Sequence, residues 1–576
     1  MATQHALSLP ELLSIILAYV HEDQSLFTCM FVNSLWAAEA ASIQWADQPP
    51  LPRLETIHPE RQQYYANKVR NCSIRLDTTV GSVLSFVNMR NLAFPRLDTI
   101  KLAMNCTTED FMLDENMMHP FLPPMLRALH IPGYMPSHIN EKLLPMIATR
   151  CCLLKSIGVT YTTRTDLIPL PKLRAAQSVD ALMDLFRALP SAEGLDLIKM
   201  DIAVPLNHLT YLARRPLLRS LSLELQPAGT GITDFLTNSQ LAMFPDLREL
   251  TLKAPVNLAI TLCRRLQAIS TLRIQISAPL NGDEMQKRIL MDEFFSTIMY
   301  FPALQKLELS FGFAWDLDFR EEWYDDPRQW FPLTSRSLSA LATHCRHLRT
   351  LLFSRNVDSS CLFTSTDISN SDILYLASNL PHLRFFEYSV EPIVKRTYQY
   401  LNWPSRTIYS KSTQGKCFTA SLIALGTHCQ SLEYLQFTVP IDLRELNLHE
   451  RPLFPKLRQL WLCDGTFSLS SSLTEGLSPI IPILEYHFPN LTSLTVPTSQ
   501  LFGEDCVYCP PWELTEIFTR FGPIMVNGFH GYMEPEFDGW FEEAEQADEP
   551  SVWGDGLDEP EDEPESDTSD YNDKQM

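Results

Sequence analysis

The sequence has none of the short motifs that mark the common enzyme classes. It contains no glycine-rich phosphate loop, no GxSxG elbow, no HExxH helix and no kinase signature set, and its 14 histidines are dispersed. It also lacks an uninterrupted apolar stretch of the roughly 18 residues that a membrane-spanning helix needs. We therefore expect a soluble, non-catalytic protein of the cytoplasm or nucleus, with no cofactor, no metal and no membrane partner.

Positive charge is scarce in this chain. The 576 residues include 46 lysines and arginines against 69 aspartates and glutamates, which gives a formal net charge of −23. Such a surplus of negative charge opposes contact with phosphate backbones and anionic lipid head groups. We therefore expect protein partners and no nucleic acid partner.

Regularly spaced cysteines are also missing. The 13 cysteines are odd in number and lack the spacing of a disulfide framework, which favours reduced thiols. Cys506 and Cys509 form the one CxxC pair, and His487 precedes it. A zinc site needs two further well-spaced ligands, and a redox site of the thioredoxin kind needs a βαβ context, so we interpret the pair as ordinary loop cysteines.

A compact apolar unit opens the chain. Ser8 and Glu11 have the spacing of a capping box, and Pro10 fits the first turn of a helix. Apolar residues then recur at helical spacing, which predicts a first helix, a second helix over residues 26–36 and a short third segment around Trp45. A bundle this small rarely buries enough surface to be stable alone. Part of its apolar face is therefore expected to be an interface.

Residues 8–46 resemble an F-box. LPELLSIILAYV, from Leu9, matches its opening helix, residues 32–36 match its second signature and Trp45 its closing aromatic, although Ser34 replaces a frequent basic residue. The resemblance implies docking on a Skp-family adaptor and, through it, on a cullin. The adaptor-binding residues that it implies are Leu9, Pro10, Glu11, Leu12, Leu13, Ile16, Leu26, Val32 and Trp36. The alternative is an amphipathic helical hairpin that packs on the following domain.

One phrase recurs through the middle of the chain. It reads FPRLDTIKL at its first occurrence, and related copies follow at irregular separations. The pattern Leu-x-x-Leu-x-Leu predicts a strand whose last two apolar residues point into a shared interior, and helical segments precede several copies. Close copies begin at Phe94, Phe244, Phe301, Phe454 and Phe488, and looser ones at Val69, Leu126, Leu154, Ala192, Leu218, Ile269, Leu348, Leu383 and Leu432.

The repeated phrase resembles the leucine-rich repeat, and the order of parts resembles fungal-type F-box/leucine-rich-repeat proteins. The fold implied is α/β: a small helical F-box at residues 5–46, a linker at 47–64, and an irregular solenoid at 65–500 with parallel strands inside and helices outside. A cap or linker would follow at 501–533. The function implied is a non-catalytic substrate receptor of an SCF-type cullin-RING ubiquitin ligase, whose repeats bind an unknown protein target. The alternative is a repeat scaffold with no role in ubiquitin transfer.

Two features remain outside these units. Residues 534–576 are rich in acid, proline and serine with a few aromatics, which predicts a disordered tail. The alternative is that its aromatic residues, such as Trp540, dock in a basic groove. Trp461 is the one large aromatic at an outward strand position and is our candidate target-binding residue. The alternative is that Trp461 packs beneath a neighbouring insertion.

Overall fold

The computed structural model describes twenty stretches of the chain, all within the first of its two compact units, residues 1–526. The predicted cap or linker, the acidic tail and Cys506 and Cys509 lie outside the described residues. The described residues are 9–22, 26–47, 49, 51–76, 89–104, 118–132, 139–160, 172–198, 204–226, 231–238, 243–277, 283–311, 330–354, 362–365, 367–398, 406–411, 418–437, 441, 443–462 and 481–495.

Three helices form the amino-terminal bundle: α1 (Pro10–Glu22), α2 (Leu26–Cys29) and α3 (Ser34–Ala46). The prediction of one helix over residues 26–36 is wrong, because the helix ends at Cys29, the chain turns at residues 30–32, and a new helix begins after Asn33. The side chain of Asn33 accepts a hydrogen bond from the backbone N–H of Trp36 at 3.0 Å, so Asn33 is the N-cap of α3. Trp45 therefore belongs to α3 and not to a separate third segment.

The predicted linker contains two further helices, α4 (Pro52–Glu55) and α5 (Pro59–Ala66). Each begins with a proline, whose fixed φ suits the first helical position. Leu51 and Leu54 are buried and belong to the same apolar cluster as the repeats that follow. These two leucines therefore pack into the core of the repeats, while the predicted linker bounds stay a prediction.

Fourteen strands form one parallel sheet, in which each strand pairs with the next copy of the repeated phrase. The strands of the chain are β1 (Asn71–Leu76), β2 (Thr99–Met104), β3 (Ala128–Pro132), β4 (Ser156–Thr160), β5 (Gly194–Asp196), β6 (Ser220–Glu224), β7 (Glu249–Ala254), β8 (Thr271–Ile276), β9 (Lys306–Phe311), β10 (Trp330–Pro332), β11 (Thr350–Phe353), β12 (Leu362–Ser365), β13 (Phe385–Tyr388), β14 (Val390–Tyr398), β15 (Arg406–Lys411), β16 (Tyr434–Phe437), β17 (Gln459–Leu462) and β18 (Ser493–Thr495). The long sheet comprises β1–β9, β11, β13 and β16–β18.

The apolar residues of the repeated phrase build the interior as predicted. Leu307 and Leu309 of β9 are fully buried, and Glu308 between them is partly exposed. The phenylalanine that opens each close copy is also buried, and the rings of Phe454 and Phe488 stack at 5.0 Å. The prediction of an α/β fold with a parallel sheet made from these phrases is confirmed.

Helices connect many of the strands: α6 (Leu144–Arg150), α7 (Lys172–Ala188), α8 (Leu206–Arg214), α9 (Ile232–Asn238), α10 (Val256–Cys263), α11 (Glu284–Ile298), α12 (Ser335–His344), α13 (Asn370–Asn379), α14 (Thr419–His428) and α15 (Ile481–His487). Helices α10 to α14 pack each on the next. Polar side chains join them, since Thr334 donates to Asp292 at 2.5 Å and Asn370 accepts from the backbone N–H of Ser421 at 3.1 Å. Shorter helical turns lie at His119–Phe121, Ile139–Leu143 and Leu443–Leu448.

A second, four-stranded sheet was not predicted. Strands β10, β12 and β14 pair in parallel, and β15 returns antiparallel to β14. The ring of Phe311, at the end of β9, lies 4.3 Å from that of Phe331 and 4.7 Å from that of Phe363. The core of the long sheet therefore continues into the second sheet. Sequence analysis missed these strands because they lie between copies of the repeated phrase and do not share its pattern.

Candidate functional site

The amino-terminal bundle has a very small interior. Four of its side chains form the buried cluster, and six more pack against it while remaining partly exposed. The buried four are Leu13, Leu17, Leu26 and Ala40, and the partly buried six are Val20, Cys29, Met30, Leu35, Trp36 and Ile43. A core of this size contributes little stability by itself, because hydrophobic stabilisation scales with the apolar area that is removed from water.

The outside of the same bundle is largely apolar. Eight large apolar side chains between residues 9 and 32 are between 37% and 75% exposed, out of twenty such side chains in the described part of the chain. We call these eight the amino-terminal apolar surface: Leu9, Leu12, Ile15, Ile16, Tyr19, Phe27, Phe31 and Val32. Large exposed apolar patches on folded proteins mark interaction sites.

Two elements of the bundle contribute this surface. Leu9, Leu12, Ile16 and Tyr19 recur at helical spacing and so share one face of α1. On α2 and the turn after it, the rings of Phe27 and Phe31 meet edge to face at 5.1 Å. These two rings are 63% and 75% exposed. The chain thus holds a pair of aromatic rings in contact with each other while most of their area faces solvent.

The predicted adaptor-binding residues differ in how exposed they are. Leu9, Leu12, Ile16 and Val32 belong to the amino-terminal apolar surface, Glu11 is exposed beside them, and Trp36 is partly buried against the bundle core. The side chain of Pro10 lies outside the described residues. Leu13 and Leu26 are 0% and 3% exposed, so their prediction as adaptor contacts is corrected to a role inside the bundle.

Sequence analysis missed four members of the apolar surface: Ile15, Tyr19, Phe27 and Phe31. Helical periodicity identified the apolar residues of α1. It does not distinguish residues that the chain itself buries, such as Leu13, from residues that stay exposed, such as Leu12. A usable signal was present in residues 27–31, where two phenylalanines lie four residues apart in a segment with too few neighbours to bury both.

The bundle is joined firmly to the repeat array. The Lys68 ammonium donates to the carbonyl oxygen of Ala38 at 3.1 Å and to the hydroxyl of Ser42 at 2.5 Å, both on α3. The rings of Trp45 and Tyr65 lie 5.0 Å apart. These contacts attach α3 to the segment that precedes the first strand.

Trp461 lies on the face of the long sheet that is opposite the apolar interior. It is partly buried on β17, in register with Gln436 of β16 and Thr495 of β18. Gln436 donates to the hydroxyl of Ser389 at 3.0 Å, and Ser389 donates to the carboxylate of Glu387 at 3.1 Å. The candidate tryptophan is thus beside a hydrogen-bonded polar row, and its role in target binding stays a prediction.

The described residues offer little reactive chemistry. Burial raises the pKa of the thiols of Cys72, Cys263, Cys345 and Cys429 to about 12, so they stay protonated and unreactive at neutral pH. Burial lowers the pKa of His487, which favours its neutral form. No group of three or more potential metal ligands occurs among the described residues, and no described helix has both the length and the apolar character to cross a bilayer.

No protein-family model matches the sequence, and no curated protein matches it. The composition and geometry of the amino-terminal apolar surface are the features that bear on its role. Those features favour contact with another protein, since apolar and aromatic side chains anchor protein interfaces and the chain's net charge of −23 disfavours nucleic acid.

Proposed function

We propose that this chain is the substrate-recognition subunit of an SCF-type cullin-RING ubiquitin ligase. In this proposal residues 5–46 are an F-box that docks on a Skp-family adaptor, and through it on a cullin. The long sheet with its helices is a leucine-rich-repeat solenoid that binds the target protein. The observation that carries the proposal is the amino-terminal apolar surface, eight exposed side chains on a bundle whose described buried cluster has four members.

The role proposed is positioning without catalysis. A receptor raises the local concentration of a target lysine near the ubiquitin-charged enzyme, which turns a rare encounter into an intramolecular one. Such a mechanism benefits from a stiff connection between the docking unit and the target-binding unit. The contacts of Lys68 and Tyr65 with α3 support that requirement. The proposed role belongs to the cytoplasm or nucleus.

Adaptor binding by variants of the apolar surface tests the proposal. Leu12→Asp and Phe31→Asp each place a charge on this surface, and Ile289→Asp, at a 59% exposed position on α11, is the matched control. With a purified Skp-family adaptor, we expect the first two variants to bind at least about 30-fold more weakly, about 2 kcal/mol, and the control to bind normally. All three positions are exposed, so melting temperatures should not change.

Normal adaptor binding by the Leu12→Asp, Phe31→Asp double variant would contradict the proposal. Absence of adaptor binding by the unaltered chain would also contradict it. If the array still captured protein partners in that case, the chain would be a repeat scaffold without a role in ubiquitin transfer. Alanine at Trp461 then tests the candidate target contact in the same capture experiment.

A further inference from the structure

A cleft of about 520 Å³ opens at the edge of the long sheet where its strands begin. Its lining comes from the turns before β9, β11, β13 and β16 and includes Gln305, His347, Arg349, His382 and Arg384. The remaining lining residues are an alanine and a serine, so none of them is acidic. The cleft is thus lined by two arginines and two histidines in a chain with a net charge of −23.

Backbone hydrogen bonds place these side chains next to one another. The N–H of Arg349 donates to the carbonyl oxygen of Gln305, and the N–H of Arg384 donates to that of Arg349, both at 2.7 Å. Equivalent residues therefore repeat at the strand spacing of about 4.8 Å. Two like charges at neighbouring positions of a sheet repel each other unless an opposite charge lies close by.

The two arginines differ in how their charge is compensated. The Arg384 guanidinium donates to both carboxylate oxygens of Glu433, at 2.7 Å and 2.9 Å. Arg349 is exposed, and its side chain has no hydrogen-bond or ion-pair partner among the described residues. The cleft thus holds one uncompensated guanidinium, with His347 and His382 beside it.

Three of the other cations at the same edge are compensated. Before β3, β4 and β6 the equivalent residues are Arg127, Lys155 and Arg219, which lie 3.9 Å from Asp98, 3.2 Å from Glu193 and 3.5 Å from Glu193. Arg70, Arg248 and Arg458, before β1, β7 and β17, are exposed and also lack a side-chain partner in the described structure. Two residues before Arg248, however, the chain has Asp246 where it has His347 before Arg349.

We propose that this cleft binds an acidic peptide segment of a partner protein, whose carboxylate or phosphate oxygens accept hydrogen bonds from Arg349. Guanidinium groups are well suited to such oxygens, which they bind in pairs of parallel hydrogen bonds. The site is independent of the amino-terminal apolar surface and goes beyond the docking proposed for it.

The size of the cleft favours a peptide over a single small anion. Its lining spans four successive repeats, about 14 Å at the strand spacing, which corresponds to about four residues of extended chain. Nucleic acid is a poor fit, because the lining contains no phenylalanine, tyrosine or tryptophan on which bases stack and because the whole chain is strongly acidic.

Fluorescence anisotropy with the full-length chain tests the proposal. The probes are a labelled peptide of alternating aspartate and serine and the same peptide with phosphoserine. Arg349→Glu should weaken binding of the better probe at least about tenfold, about 1.4 kcal/mol. Arg248→Glu, which makes the same charge change at the same edge, should change it less than about twofold. Added salt should weaken binding, since the contact is between exposed charges.

Three results would overturn the proposal: no binding of either peptide, unchanged binding by Arg349→Glu, or equal losses for the two variants. Binding of a single-stranded DNA oligomer in preference to both peptides, with loss in Arg349→Glu, would also overturn it. Preference for the phosphoserine peptide supports the proposal and identifies phosphate as the recognised group. Both variants should melt like the unaltered chain, and both should still bind a Skp-family adaptor if the docking proposal holds.

Discussion

The amino-terminal bundle and the repeat array use similar apolar residues with opposite results. In the array, one continuous buried cluster extends from Leu51 to Leu494. In the bundle, the buried cluster has four members, and eight large apolar side chains face solvent. The difference shows that apolar content alone does not determine whether side chains are buried. Burial also requires neighbouring elements on both sides.

The array provides those neighbours by repetition. Each strand of the long sheet pairs with the next one, and from β2 onward the residue before each of these strands donates its backbone N–H to its equivalent in the preceding repeat, as Arg127 does to Asp98 at 2.8 Å. Among the described residues, the bundle has three short helices, and the array contacts one side of α3. Its outer apolar side chains are exposed, which is the physical basis of the proposed adaptor docking.

The largest expected effect on stability comes from replacing a phenylalanine in the array, compared with the same replacement in the bundle. Phe301→Ala removes a fully buried ring from the array and should lower the free energy of unfolding by about 3–5 kcal/mol. Phe31→Ala removes a 75% exposed ring from the bundle and should change it by less than about 0.5 kcal/mol. Denaturant unfolding, followed by circular dichroism, measures both.

Similar losses for the two phenylalanine variants would contradict the comparison, because Phe31 would then be part of a folded interior. Unchanged stability for Phe31→Ala together with weaker adaptor binding would support the comparison. The ring of Phe31 would then contribute to binding another molecule and not to the folding of its own chain.

Sequence patterns predicted the repeated part of the fold better than its surfaces. The spacing of Leu304, Leu307 and Leu309 was enough to locate β9, because two-residue alternation and a shared phrase leave one register that buries the leucines. Periodicity placed Leu13 and Leu26 on apolar faces but did not show that the bundle itself encloses them. The cleft was not predicted, because Arg349 and Arg384 are neighbours only through strand pairing.

A second, smaller effect on stability concerns a buried arginine, which the array has and the described part of the bundle lacks. The buried guanidinium of Arg215 donates to the carbonyl oxygen of Phe186 at 2.8 Å and to the hydroxyl of Tyr211 at 2.7 Å, and it lies over the ring of Phe186 at 3.8 Å. It thereby satisfies carbonyl groups at the carboxyl end of α7.

Arg215→Ala removes the charged donor from the buried carbonyl oxygens of Phe186, Leu189 and Ala192 and should cost about 2–3 kcal/mol of stability. The neighbouring Arg214→Ala, at an exposed position, is the control and should be neutral. Thermal melting followed at the same protein concentration measures the difference. Equal effects of the two substitutions would show that the guanidinium of Arg215 does not stabilise the array.

The smallest effect lies at the boundary between the two regions. Lys68→Met keeps the aliphatic part of the side chain but removes the hydrogen bonds to Ala38 and Ser42, and we expect a loss of about 1 kcal/mol confined to the bundle. Hydrogen exchange should therefore become about fivefold faster in α3 while β8 remains unchanged, because local opening exposes only the amides near the lost contact. Lys142→Met, at an exposed position, should alter neither element. Faster exchange throughout the array would instead mean that bundle and array unfold as one cooperative unit, since a contact at their boundary would then stabilise both equally.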